Sequence, residues 1–214
     1  MAERVSEIQS SIEFLSSKYD SVISNTEANQ AEITRLHTEV SSLSSTVVAQ
    51  AELLDKLRSE VNDLEQYSRK CNFEVHGLPY KPNEDLRSIM TELAQNLGIS
   101  DFQPTAITAI HRLPSKTDSI PPILVQTSDV ASKDKWLGAK KGLSSLAQTG
   151  SFPRLYFNEN LTRHNKDLFR LTRLKGKEKG FKFVWTKNGK IFAKKCEGAS
   201  LIRVEREYDL EKIC

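Results

Sequence analysis

From Val5 to Leu64, apolar side chains recur at alternating intervals of three and four without a phase break. Position a of the implied heptad holds Val5, Ile12, Tyr19, Thr26, Ile33, Val40, Val47, Leu54 and Val61. Position d holds Ile8, Leu15, Val22, Asn29, Leu36, Leu43, Gln50, Leu57 and Leu64. Fifteen of these 18 sites are apolar or aromatic, and no Gly or Pro occurs before Gly77. A 3.5-residue period sustained this long predicts a coiled-coil stalk over residues 1–68, roughly 90 Å long at the helical rise. Thr26 and Asn29 occupy adjacent core layers beside Ser24 and Asn25, which places the expected weak point there. β-branched residues at a with Leu at d favour a parallel dimer. The opening Arg4–Gln9 segment is similar to a trimer-specifying pattern, so dimer and trimer both stay open.

After the polar segment 64–72 the period changes. NFEVHGLP (72–79) alternates and closes on a turn, predicting a strand. Residues 84–97 put Leu86, Ile89, Met90, Leu93 and Leu97 on one helical face, with Gly98 at the expected C-terminal cap. Segments 107–113 and 122–127 read as strands on either side of a Pro-Ser-Lys loop, 129–142 as a helix and 154–158 as a strand. The order β-α-β-β-α-β is the ferredoxin-like arrangement that RNA-recognition domains use. Those domains carry stacking rings on their central strands. Here the first strand has Glu74 in such a place and ILVQT has no ring, so 69–158 reads as a degenerate recognition domain. Arg69, Lys70 and Arg112 are its candidate contacts, against a purely structural role for the whole unit.

Residues 159–214 read as a third, small α/β domain. A helix over 161–177 places Leu161, Leu168, Leu171 and Leu174 in an apolar stripe, with Asn160 as the expected N-cap. Arg163, Lys166, Arg170, Arg173 and Lys177 follow spacings of three and four and form a basic row on nearly the opposite side. Like charges so arranged repel unless an anion neutralises them. FKFVW and KIFAKK are joined across Asn188-Gly189, a strong hairpin signal. Alternation puts Phe181, Phe183 and Trp185 on one strand face and Lys182 and Val184 on the other. The ring face is expected to pack on the leucine stripe, although Trp185 at the strand end could present an edge for base stacking. SLIRV and REYDLEKI would close the domain as a strand and a helix. The fold class is therefore α+β behind a long coiled coil.

Charge sharpens this division. Residues 1–68 carry five Lys/Arg and 12 Asp/Glu, a net of −7, whereas 154–195 carry 13 Lys/Arg and three acids, a net of +10. The whole chain is only +3. Seven aromatics interleave the basic stretch: Tyr156, Phe157, Phe169, Phe181, Phe183, Trp185 and Phe192. Cations neutralise phosphates and flat rings stack on bases, so the mixture suits single-stranded nucleic acid. Lys182, Lys187, Lys190 and Trp185 join the helix cations as candidate contacts.

The same segments carry a resemblance. LEQYSRKCNFEVHGLP (64–79), IHRLP (110–114), PPILVQ (121–126), LYFNENLTRHNKDLF (155–169) and GFKFVWTKNGKIFAKK (180–195) resemble the first-open-reading-frame proteins of LINE-type retrotransposons. The carboxy-terminal part also resembles the baculoviral few-polyhedra (FP) protein family. The resemblance implies coiled-coil oligomers, usually trimers, that coat single-stranded RNA and act as nucleic-acid chaperones. It implies phosphate contacts at Arg163, Lys166, Arg170, Arg173, Lys182, Lys187 and Lys190. Some arthropod relatives add an amino-terminal zinc finger, for which this chain has no Cys/His cluster.

Other chemistries find little support. His37, His76, His111 and His164 are isolated, and Cys71, Cys196 and Cys214 lie far apart with no C-x-x-C. No nucleophile, zincin or phosphate-loop pattern occurs, and GAKKGLSS (138–145) has the wrong spacing. No enzyme activity, cofactor, metal or small-molecule substrate is expected. No apolar run spans a membrane and no signal peptide is recognisable, which points to a soluble cytoplasmic or nuclear protein. The expected function is oligomeric binding of single-stranded RNA or DNA. A coiled-coil scaffold for protein partners with a basic tail is the alternative.

Overall fold

The computed structural model of this chain describes residues 2–99, 102–114 and 119–214. The fold is α+β, a long helix followed by antiparallel sheets. It divides into two units, residues 1–59 and 60–214.

The described residues of the first unit belong to helix α1, Ala2–Ser68. All 15 apolar a and d side chains predicted along α1 lie exposed on this single chain, from Val5 to Leu64. The helix runs through the polar layers without a break, the Thr26 hydroxyl donating to the Val22 carbonyl at 2.7 Å.

The second unit holds two small cores. Its first part is a four-stranded antiparallel sheet of β1 (Asn72–His76), β2 (Ile107–Arg112), β3 (Ile123–Thr127) and β4 (Tyr156–Glu159), in the order β2-β3-β1-β4. Helices α2 (Leu86–Asn96) and α3 (Val130–Ala139) begin at Asp85 and Asp129, whose carboxylates accept from free backbone N–H groups of the first turn. Gly98, at φ 69°, ends α2 as its sequence position implied. The predicted 129–142 helix is shorter than expected. It tightens into a 3-10 turn over Lys140–Gly142, and a further short helix α4 (Leu143–Gln148) follows, carrying buried Leu143. Residues 115–118 of the loop anticipated at Pro-Ser-Lys lie outside the described residues.

Alternation along β1 sends Phe73 and Val75 into a core with Met90, Leu93, Ile123, Val125, Trp136 and Phe157. Trp136 is its centre, stacked on Phe73 at 5.6 Å and edge-on to Phe102 and Phe157. Gly77, at φ +93°, turns the chain out of β1. A Cβ there would overlap the Arg154 carbonyl oxygen, so only glycine fits.

The second part pairs helix α5 (Arg163–Glu178) with a three-stranded antiparallel sheet. Its strands are β5 (Phe183–Lys187), β6 (Lys190–Lys194) and β7 (Ile202–Val204), in that order. The two-residue turn Asn188-Gly189 has φ values of 52° and 74°, the left-handed pair that a tight hairpin requires. The closing helix expected from REYDLEKI is a 3-10 helix, Glu207–Lys212, started by the buried Asp209 carboxylate accepting from Glu205 N and Arg206 N. The core here is small: Leu168, Ile191, Ala193, Val204 and Ile213, with Phe169, Phe181, Val184, Ile202 and Leu210 around it.

The leucine stripe holds only in part: Leu161 and Leu168 are buried and Leu171 is half-buried, but Leu174 is 58% exposed, and the buried face of α5 is completed by Asn165, Thr172 and Gly176. The expectation that the rings of β5 pack on that helix is overturned. Small residues on α5 draw the sheet close, and a Cβ on Gly176 would sit 3.0 Å from Val184 Cγ2. Val184, Ile191 and Ala193 share the sheet face that packs in this core, whereas Trp185 and Phe183 turn outward and Phe181, ahead of the strand, packs inward.

Candidate nucleic-acid interface

The start of α5 is built from three distant segments. Its N-cap is Thr162, not the expected Asn160, with the Asn165 N–H donating to Thr162 Oγ1 at 3.1 Å. The hydroxyl of Thr162 in turn donates to Asn62 Oδ1 at 2.7 Å, and its N–H donates to Gln66 Oε1 at 3.0 Å. Asn165 Nδ2 donates both to Gln66 Oε1 and to the Gly189 carbonyl, at 3.0 and 3.2 Å. The last turns of α1 therefore grip the N-terminus of α5 and the β5–β6 turn.

Asn160 is used elsewhere. Its side-chain amide donates to Glu74 Oε1 at 2.6 Å, on the face of the four-stranded sheet opposite the core. Lys166 Nζ reaches the same oxygen at 2.7 Å, and His76 Nε2 lies 3.0 Å from Glu74 Oε2. Burial would raise the Glu74 carboxyl. The hydrogen bonds from His76, Lys166 and Asn160 outweigh it and lower it from 4.5 to about 2, so the group is ionised at neutral pH. The place where a stacking ring would stand is thus an ion-paired carboxylate beneath the first turn of α5.

A second buried carboxylate, Glu159, accepts from Asn188 N at 2.6 Å and Gly189 N at 3.0 Å. The buried Lys133 ammonium lies 3.6 Å from Glu159 and donates to Asn188 Oδ1 at 3.2 Å. Lys133 and Glu159 escaped sequence reasoning because their partners are far away along the chain. Together with Glu74 they dock the hairpin module onto the four-stranded sheet.

The candidate cations sort by their partners. Arg112 is structural. It forks onto Glu84 at 2.6 and 2.7 Å and donates to the carbonyls of Leu78, Pro79 and Pro121, holding the Glu84 carboxyl below its usual range. Arg69 is also engaged, with Glu65 at 2.5 Å and the Leu161 carbonyl at 3.0 Å. Lys166 is half-engaged through Glu74. Lys70 is exposed and lies over the exposed Tyr67 ring, 3.8 Å from its centroid.

Arg163, Arg170, Arg173 and Lys177 project from α5 exposed, and among the described residues none has an acidic partner. Across from them stands exposed Lys182. Arg170, Arg173, Leu174, Lys177, Phe181 and Lys182 line an open groove of about 690 Å³ between α5 and the edge of β5. Lys187 and Lys190 pair beside the hairpin turn and are exposed as well. Trp185 is half-buried and stacked on Phe192 at 5.8 Å, on the sheet face away from α5. Phe192 was counted among the aromatics but not among the contacts, and its alternation with Lys190 and Lys194 was the available signal.

The described residues contain no group of three or more His, Cys, Asp or Glu arranged to hold a metal. The three cysteines are free. No described helix is long and apolar enough to cross a membrane. Residues 162–214 match the family described as Baculovirus FP protein domain 2. The match begins at the N-cap of α5 and covers α5, the three-stranded sheet and the closing 3-10 helix. No curated protein matches this chain.

Proposed function

We propose that this protein is an oligomeric, intracellular binder of single-stranded nucleic acid, RNA foremost, and that its phosphate contacts lie on α5 and across the adjoining groove. One observation carries the reading. Arg163, Arg170, Arg173 and Lys177 share an exposed helix face and form no ion pair among the described residues, and Lys182 faces the last three over the groove. Such a row costs helix stability unless a polyanion neutralises it. The exposed heptad face of α1 supports assembly into a coiled-coil dimer or trimer, which would multiply weak modules through effective concentration.

Two finer assignments belong to the same proposal. The strand order and the β-α-β-β-α-β sequence of elements support a ferredoxin-like reading of the middle module, with Glu74 in place of a stacking ring. The resemblance to LINE-type first-open-reading-frame proteins then suggests the role of a nucleic-acid chaperone in a ribonucleoprotein. No catalytic step is assigned.

The test is fluorescence anisotropy of a labelled single-stranded RNA over a salt series, comparing the native chain with Arg170→Glu/Arg173→Glu. The variant is expected to bind every sequence more weakly. Its log–log salt slope should be shallower by about 1.4, for two phosphate contacts at roughly 0.7 each. An unchanged slope would remove α5 from the interface. Absence of binding by the native chain at low salt would favour the scaffold instead.

A further inference from the structure

The three-stranded sheet has two unlike faces. Val184, Thr186, Ile191, Ala193, Ile202 and Val204 lie in register on one of them, and most of them close the core beneath α5. The other face is set by the remaining pairs. Phe183 pairs with Lys194, Trp185 with Phe192 and Lys187 with Lys190, and Phe192 pairs onward with Arg203. Directly paired residues project from the same side of a sheet, so three rings and four cations share one surface.

That surface belongs to no core. Phe183 is 39% exposed, and Trp185 and Phe192 are half-buried and stacked on each other, with 27° between their planes. Lys187, Lys190 and Lys194 form no ion pair among the described residues; of the acids beside them, Glu159 is taken up at the hairpin turn by Asn188 N, Gly189 N and Lys133, and Glu205 is paired with Arg203. A large aromatic on an open sheet face lowers solubility without adding core contacts, so its presence beside unpaired cations points to a ligand. Flat rings at the centre and ammonium groups at both ends match the alternation of base and phosphate along an unpaired strand. A duplex hides its base faces and would offer these rings nothing.

We propose that the outer face of the β5–β6–β7 sheet is a base-stacking platform, with Trp185 and Phe192 as the stacking pair, Phe183 as its extension and Lys187, Lys190 and Lys194 as flanking phosphate contacts. This rests on the nucleic-acid reading above and adds to it where the bases lie and why the strand must be single. The division of labour follows from the fold. The four-stranded sheet cannot serve, because Glu74 with its partners Lys166 and Asn160 fills the centre of its open face. The smaller sheet takes over that task, next to the phosphate groove that runs along its β5 edge.

The experiment uses the full chain and two fluorescein-labelled probes of equal length and charge, a single-stranded DNA 20-mer and its fully abasic counterpart. The native chain is expected to prefer the base-bearing strand by roughly thirtyfold or more, the lower bound that two stacked bases supply. Trp185→Leu and Phe192→Leu, which keep an apolar side chain but no π-face, should each remove most of that preference. Neither should change abasic binding or the salt slope. Trp185→Phe should restore most of it. Trp136 is buried in the other core, so quenching of the red-side tryptophan emission by the base-bearing strand should disappear in Trp185→Phe.

Equal binding of both probes by the native chain would overturn the platform and leave the phosphate groove standing. Leucine variants indistinguishable from native would also overturn it and turn the face over to a protein partner. Failure of the native chain to bind either probe would instead remove the underlying nucleic-acid reading.

Discussion

At the scale of single residues, Glu74 decides the most. A carboxylate 3% exposed is tolerated only when charged and polar donors surround it, and here Lys166, Asn160 and His76 do so. Its carboxyl is lowered from 4.5 to about 2, so its contribution is complete above pH 4.5 and is lost as pH falls towards 2. Glu74→Gln should therefore lower stability at pH 7 and flatten the acid limb below pH 4.5, read by circular dichroism during an acid titration. Parallel titration of both proteins would show that Glu74 carries no such linkage. The sequence marked Glu74 as out of place for a recognition strand. Why it is there was not legible, because Asn160 and Lys166 stand 86 and 92 residues further on. The same distance effect explains Arg112: a lone arginine at the end of a strand looks free until the Glu84 carboxylate, 28 residues back, is brought to it.

At the scale of elements, local chemistry named the pieces well and their ends less well. Asn160 is the N-cap expected from the sequence, and Thr162, two residues on, is the one observed; both residue types cap well. Tertiary demand chose between them, because the Asn160 amide is committed to Glu74 while Thr162 is clamped by Asn62 and Gln66. Thr162→Ala should cost about 1–2 kcal/mol in urea-induced unfolding, at the upper end of cap losses since two hydrogen bonds go with the hydroxyl. A change under about 0.3 kcal/mol would mean that water replaces both. The hairpin shows the complementary limit. Alternation correctly separated Trp185 and Phe183 from Val184, but it carries no sign for inward and outward. The narrow face of α5, with Thr172 and Gly176, supplied that sign.

At the scale of the whole molecule, an acidic heptad helix is joined in one chain to a basic carboxy-terminal module. Fifteen exposed apolar side chains at 3.5-residue spacing form the seam that the proposed coiled-coil assembly would cover. Leu36→Asp with Leu43→Asp is expected to shift the protein to monomer in sedimentation-velocity runs and leave the circular dichroism of the sheets intact. Single-strand affinity should fall by roughly tenfold to a hundredfold at unchanged binding-site chemistry, the loss that follows when linked sites are separated. A variant that stays oligomeric would place assembly outside the heptads. The carboxy-terminal module is too small to bury a large core by itself, so the contacts of Glu74, Glu159, Asn62 and Gln66 do for it what core volume does for bigger domains.

What the sequence determined by itself is what periodicity and local turn chemistry can express: the heptad helix, the order of strands and helices, the basic row on α5 and the Asn-Gly hairpin. These depend on neighbours within a few residues, so the covalent spacing already contains them. Only the tertiary structure decided which cations are free and which face of the small sheet is the outer one. Arg69, Arg112 and Lys166 look like their exposed counterparts in any window of the chain, and only their folded partners reveal that they are engaged. Charge pairing and burial are properties of segments brought together from far apart, and no local pattern encodes them.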